Sequence, residues 1–82
     1  MAEQKLLKLT ISKVDAPVFD GEVISVYVPG VTGDMEILAG HTALISPLKQ
    51  GTLVVKKTDG QETFEIDAGT LEISNNHATI LI

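Results

Sequence analysis

Apolar and polar residues alternate with a period of two along most of this chain, and turn signals interrupt the alternation at short, even intervals. Two is the repeat of a β-strand, whose successive side chains point to opposite faces. Short strands separated this regularly by Gly, Pro, Asp and Asn predict an all-β sandwich or barrel. In the first strand Leu7, Leu9 and Ile11 point one way, while Lys8, Thr10 and Ser12 point the other. Ala16-Pro17 breaks that strand, Asp20-Gly21 reads as a tight turn, and residues 22–28 read as the next strand. Pro29-Gly30 ends it, because proline cannot donate to a ladder. Short strands are expected at Met35–Leu38 and over residues 43–46, with a turn at Ala39-Gly40 between them. Asp59-Gly60 predicts a hairpin between residues 51–58 and 61–66, through a type I′ turn with positive φ at both central positions. Phe64, Ile66 and Ala68 face inward there, and Leu71 and Ile73 do so in Gly69–Ser74. Asn75-Asn76-His77 then turns into a last strand over residues 78–82, with His77 an exposed turn residue. No segment carries a helical period.

Residues 1–82 form one domain, near the size at which a single core only just suffices. A hydrophobic share of 44% against 21% charged residues predicts a folded globule rather than a disordered chain. Phe19, Tyr27 and Phe64 are the only aromatics, so Leu, Ile and Val must build the core, and β-branched residues favour sheets. With no cysteine there is no disulfide, thiolate metal site or cysteine nucleophile. Six lysines, no arginine and a net charge of −5 give no basic face for a phosphate backbone, which argues against nucleic acid as a partner. The polar start, Met1-Ala2-Glu3-Gln4-Lys5, is neither a signal peptide nor a lipidation motif. No apolar run approaches the roughly 20 residues of a membrane-spanning helix. The expectation is a monomeric domain, soluble or peripheral to a membrane assembly.

Asp34, His41 and Ser46 are the residues that most resemble a catalytic triad. A triad needs a base within hydrogen-bond reach of its nucleophile, and Ser46 lies outside any nucleophile-elbow glycine pattern and precedes a proline. His41 reads instead as a turn or interface residue. His41 and His77 lack metal-ligand spacing with the scattered carboxylates. Asp15, Asp20, Asp34 and Asp59 sit at or beside turns, where aspartate bonds its own backbone. Gly30, Gly33 and Gly40 are followed by neither Gly-Lys-Ser/Thr nor a helix start, so no phosphate cradle is read there. No catalytic, cofactor-binding or metal-binding residue is expected, and the chain reads as a non-enzyme.

Three strands break the pattern of one solvated face. Val23 and Tyr27 oppose Ile24, Val26 and Val28; Leu53 and Val55 oppose Val54; Leu81 opposes Ile80 and Ile82. Either a partner covers an outer apolar face, or these strands are central with loops folded over them.

Residues 18–51 hold Phe19-Asp20-Gly21-Glu22-Val23, Val28-Pro29-Gly30, Gly33-Asp34, Ile37-Leu38-Ala39-Gly40-His41 and Leu48-Lys49-Gln50-Gly51, in that order. The series resembles the β-sandwich domain of the epsilon subunit of F-type ATP synthases, called delta in mitochondria. The resemblance runs on through the strand pattern to Ile82. It implies a flattened sandwich of two antiparallel sheets and a non-catalytic role in the central stalk, coupling the proton-driven c-ring to the gamma shaft. The gamma subunit, the polar loops of the c-ring and, through the complex, the other subunits would be its partners. Its place would be peripheral, on the cytoplasmic face of a bacterial plasma membrane or the equivalent side in organelles. Carried across by motif, Lys13, His41, Thr42, Ala43, Leu44, Ile45, Ser46 and Thr52 would face gamma, with Leu44 the foremost outward residue. Val31, Thr32, Gly33, Asp34 and Met35 would form the loop facing the c-ring. Glu36 stands where the family commonly has glycine, Ala39 where proline or similar is usual, and Gln50 replaces a frequent proline. Many members continue into a helical hairpin that regulates ATP hydrolysis; this sequence ends at Ile82 in a strand pattern, so nucleotide sensing and inhibition are not expected of it. The rival reading is a lipoyl- or biotin-carrier or another small binding sandwich. A carrier needs an exposed lysine at a hairpin tip, whereas Lys56-Lys57 reads as strand.

Overall fold

The computed structural model describes residues 5–82. These hold nine strands: β1 (Leu7–Ser12), β2 (Pro17–Val23), β3 (Ser25–Val28), β4 (Met35–Leu38), β5 (Leu44–Leu48), β6 (Gly51–Lys57), β7 (Gly60–Ile66), β8 (Gly69–Ser74) and β9 (His77–Leu81). A five-stranded sheet, ordered β2-β1-β9-β8-β5, packs on a four-stranded sheet, ordered β4-β3-β6-β7. The alternation read in the first strand is realised: Leu7, Leu9 and Ile11 are fully buried. They meet Ile37, Val26, Leu53 and Val55 of the other sheet and Leu71, Ile73, Ala78 and Ile80 of their own in one core. The fold is the all-β sandwich that the period of two predicts.

Pairing is antiparallel throughout with one exception. β1 and β9 run parallel, from Lys8 beside His77 to Ser12 beside Leu81. The chain leaves the five-stranded sheet after β2 for β3 and β4, returns for β5, leaves again for β6 and β7, and comes back for β8 and β9, so its last strand lies along its first in the same direction. Parallel neighbours need a long crossover, and here the intervening strands supply it in place of a helix.

Two turns lie elsewhere than the sequence suggests, and a bend divides one expected strand. Asp20 and Gly21 sit inside β2, paired with Thr10 and Leu9. The reversal occurs over residues 13–16, where the Lys13 N–H donates to the Ala16 carbonyl at 2.8 Å, beside an irregularity of register at Ile11/Ser12. Residues 22–28 are not one strand. The chain bends at Ile24, whose N–H donates to the Lys56 carbonyl at 2.7 Å, and crosses between sheets. Val23 is therefore buried from one sheet, and Val26 and Val28 from the other. Much of the apolar surplus in this segment is thus two strands' worth of core residues read as one.

The β6–β7 hairpin turns on Thr58-Asp59, one residue earlier than expected, because Lys57 pairs with Gly60. Positive φ falls on Gly60 (153°) and on neither central residue, so the turn is not type I′. Such a turn does occur at Asn75 (φ 51°) and Asn76 (φ 59°), between Ser74 and His77. Ala68, expected inside, is exposed in the bend before β8.

The registers define two ends. One carries Leu6, Ile24, the turn at Ala39-Gly40, Thr58-Asp59 and Asn75-Asn76. The other carries residues 13–16, 31–34, 49–50 and 67–68, together with Ile82. Leu7 and Ser12, five residue steps apart on β1, set a separation of roughly 17 Å between the ends at about 3.3 Å per step.

Candidate functional site

The residues expected to face a partner fall into three places. His41, Thr42 and Ala43 form the exposed link from β4 to β5, and Leu44 and Ile45 continue it into β5. Lys13 lies at the opposite end, in the turn after β1. Thr52 belongs to the other sheet, where its hydroxyl donates to Glu65 Oε2 at 2.6 Å across β6 and β7. Val31, Thr32, Gly33 and Asp34 are exposed in the loop between β3 and β4, and Met35, opening β4, packs partly against the core. That loop is tied to β5: the Val31 N–H donates to the Pro47 carbonyl at 3.1 Å, and Gly30 bridges to Leu48.

Alternation along β5 settles which side chains face out. Leu44, Ser46 and Leu48 share the inner face, Leu48 buried and Leu44 packed against the core. Leu44 is therefore not the outward residue. Ile45 is, with 71% of its surface exposed. The correction was available from parity, since Leu44 and Leu48 are four residues apart and must share a face. Ser46 is only 8% exposed, its hydroxyl donating to the Pro47 carbonyl at 3.3 Å.

β4 and β5 are the edge strands on one flank of the sandwich. Its two outer faces both carry exposed apolar groups: Ala43 and Ile45 on the side of the five-stranded sheet, and Leu38 at 49% exposure and Tyr27 at 47% on the outer face of the four-stranded one. The opposite flank, formed by β2 and β7, closes with Phe19 edge-on to Phe64, their ring centroids 6.2 Å apart. Its outward strand positions are polar or acidic, including Asp20, Glu22 and Glu65. The two flanks differ in chemistry, and the β4–β5 flank suits an apolar contact.

The geometry brings no triad together. Asp34 is at one end and His41 at the other, where the His41 Nδ1–H donates to the Thr42 carbonyl at 2.8 Å. His77, read as an exposed turn residue, lies in β9 and is half-buried. Its Nε2 sits 2.9 Å from the Thr10 hydroxyl, which donates to Asp20 Oδ1 at 3.2 Å. With the hydroxyl hydrogen committed to Asp20, the imidazole must be the donor. This chain of bonds ties β2, β1 and β9 across the outer face of their sheet. Lys57, at the end of β6, is ion-paired with Glu62. That pair raises the lysine pKa above its ordinary value, first through the hydrogen bond and then through Coulomb attraction to Glu62 and Asp59. The hairpin tip itself, Thr58-Asp59, has no lysine for a carrier's prosthetic group.

Asn76 is the residue that sequence reasoning passed over. Its turn was legible, because asparagine tolerates positive φ; its side-chain bonds to Gly40 and Leu6 were not.

Residues 6–82 match the family described as ATP synthase, Delta/Epsilon chain, beta-sandwich domain. An ATP synthase epsilon chain of Bacillus subtilis is 36% identical over 77 residues, covering 94% of this chain and 58% of that protein. The epsilon chain of Chlorobium limicola is 36% identical over 81 residues, covering 98% of this chain and 92% of that protein. This chain thus spans little more than half of the Bacillus relative and nearly all of the Chlorobium one. Among solved structures, a chain of the Euglena gracilis mitochondrial ATP synthase superposes with a TM-score of 0.86 at 23% identity, over 93% of this chain and 49% of that one. A chain of the Tetrahymena thermophila mitochondrial ATP synthase central stalk and c-ring gives 0.77 at 15% identity, over 98% and 65%. These two share the fold. With the family pattern running from Leu6 to Ile82 on such a sandwich, the chain belongs to the delta/epsilon beta-sandwich family of ATP synthases.

Proposed function

We propose that this chain, acting as one domain over residues 1–82, is a non-catalytic central-stalk subunit of an F-type ATP synthase. It docks on the gamma subunit through His41, Thr42, Ala43 and Ile45 and presents Val31, Thr32, Gly33, Asp34 and Met35 to the c-ring. The family match over residues 6–82 carries this reading. The exposed Ala43 and Ile45 at the start of β5 support it independently, because an isoleucine moved from water into a packed interface contributes on the order of 1.5–3 kcal/mol.

The mechanism is mechanical. The docking loop and the c-ring loop lie at opposite ends of one sandwich, and each end is tied to the other by continuous strands. A close-packed core transmits strain instead of absorbing it, so torque applied at one end reaches the other without a hinge. Lys13 and Thr52 lie outside the contiguous docking patch, and Ser46 supports it from beneath. Among the described residues no helix is long and apolar enough to cross a membrane. Placement is peripheral, held to the cytoplasmic face of the bacterial membrane, or the equivalent side in organelles, by the proton-translocating complex.

Affinity-tagged chain expressed in its native host should draw down gamma and the c-ring with the catalytic subunits. Recovery without any ATP synthase subunit would reject the reading. An intact mass increased by a lipoyl or biotin group would favour the carrier alternative.

A further inference from the structure

Asn76 makes three hydrogen bonds that join three separate stretches of chain. Its Nδ2 donates to the Leu6 carbonyl at 2.9 Å, and its Oδ1 accepts the Gly40 N–H at 2.8 Å. Its own carbonyl accepts the Lys8 N–H at 3.2 Å. The side chain therefore bridges the β8–β9 turn to the link between β4 and β5, which crosses from one sheet to the other. Gly40 has little else to hold it. Its φ is 81°, and apart from its chain neighbours no residue comes within 4 Å of where a Cβ would stand. The other bond at this bend runs from the His41 N–H to the Leu38 carbonyl, at 3.2 Å.

Directly after Gly40 come His41, Thr42 and Ala43. Ala43 forms a rim of an open groove of about 420 Å³ between β5 and β8, together with Leu44, Ile45, Glu72, Ile73 and Ser74. We propose that Asn76 is a positioning residue for gamma docking: by holding Gly40 it fixes the course of residues 41–43, the exposed link that carries Ala43 to the rim of this groove. The inference rests on the docking reading above. Gamma never touches Asn76 in this account; a freely moving loop would have to be ordered on binding, and that ordering would be charged against affinity.

Two substitutions separate the side-chain bonds from the turn. Asn76→Gly keeps a residue suited to positive φ and deletes both side-chain bonds. Asn76→Asp keeps the acceptor for Gly40 and loses the donor to Leu6. The measurements are amide exchange at Gly40 and affinity for the gamma subunit from the same organism, using the 82-residue chain. A third variant, Ile66→Val, lowers stability at the far end and serves as the control for mere destabilisation. Asn76→Gly should speed Gly40 exchange and weaken gamma binding, each by roughly two- to thirteenfold, as the loss of a net hydrogen bond predicts. Asn76→Asp should recover most of the affinity, and Ile66→Val should bind as wild type does. Gamma affinity in Asn76→Gly equal to that of Ile66→Val would overturn the proposal, as would unchanged exchange at Gly40. If the wild-type chain does not bind gamma, the docking reading itself fails; the exchange data then report separately whether Asn76 holds the loop.

Discussion

Leu53 and Phe64 face each other across β6 and β7, yet they contribute differently. Leu53 is fully buried, whereas Phe64 is half-buried on an edge strand and leans on Phe19. Leu53→Ala should cost about 2–5 kcal/mol, and Phe64→Ala should fall below the roughly 3–5 kcal/mol of a fully enclosed phenylalanine. Denaturant midpoints of the two variants check the order; a larger loss at Phe64 would mean that the edge is closed more tightly than this packing indicates. At this scale the sequence was readable wherever alternation was clean, as in Leu7, Leu9 and Ile11. It misled at Leu44 because two adjacent leucine and isoleucine side chains carry no polarity contrast, and only the parity with Leu48 separates them. At Asn76 the residue type showed the turn, but a side-chain bond to Gly40 depends on how two distant turns meet.

Turns decide the element scale, and strand pairing overrules a turn-forming dipeptide where the two compete. Asp20-Gly21 is drawn into β2 because β1 offers it a full ladder, whereas Asn75-Asn76 keeps its turn because both residues accept positive φ. Asn75→Val should therefore destabilise by about 1–3 kcal/mol, while Asn75→Gly should be close to neutral, since a β-branched residue resists that backbone region. Equal midpoints for the two variants would show that the turn tolerates another conformation. The β6–β7 hairpin carries its own test in the Lys57–Glu62 pair. The folded pKa of Lys57 lies above the ordinary value of 10.5, so its contribution is complete below that pH and is lost as pH rises through the folded value. The stability gap between wild type and Glu62→Gln should accordingly be constant through neutral pH and shrink above about pH 10.5. A gap that persists undiminished under alkali would assign the effect to packing.

Taken as a whole, the molecule is closed by its first and last strands, β1 and β9, paired side by side in the centre of the larger sheet. Alternation fixed the class and the number of strands to within the bend at Ile24, but a period of two is blind to direction, and no local signal distinguishes a parallel neighbour from an antiparallel one. Such distant pairing predicts folding in milliseconds to seconds rather than microseconds, as in other sandwiches of high contact order; stopped-flow refolding measures it, and a microsecond phase carrying the full amplitude would contradict it. The same closure makes the sandwich a stiff spacer between its two ends, on which the proposed role in the stalk depends. Ile45 tests that role most directly, being exposed on the docking flank while its neighbours Leu44 and Ser46 face inward. The measurement is the affinity of the 82-residue chain for its gamma subunit, by titration calorimetry, for wild type and Ile45→Asp, with the thermal midpoint of each free chain. The expected result is similar midpoints and binding at least about tenfold weaker in the variant, because an unpaired carboxylate would be desolvated in the interface. Undiminished affinity in a folded Ile45→Asp chain would contradict it.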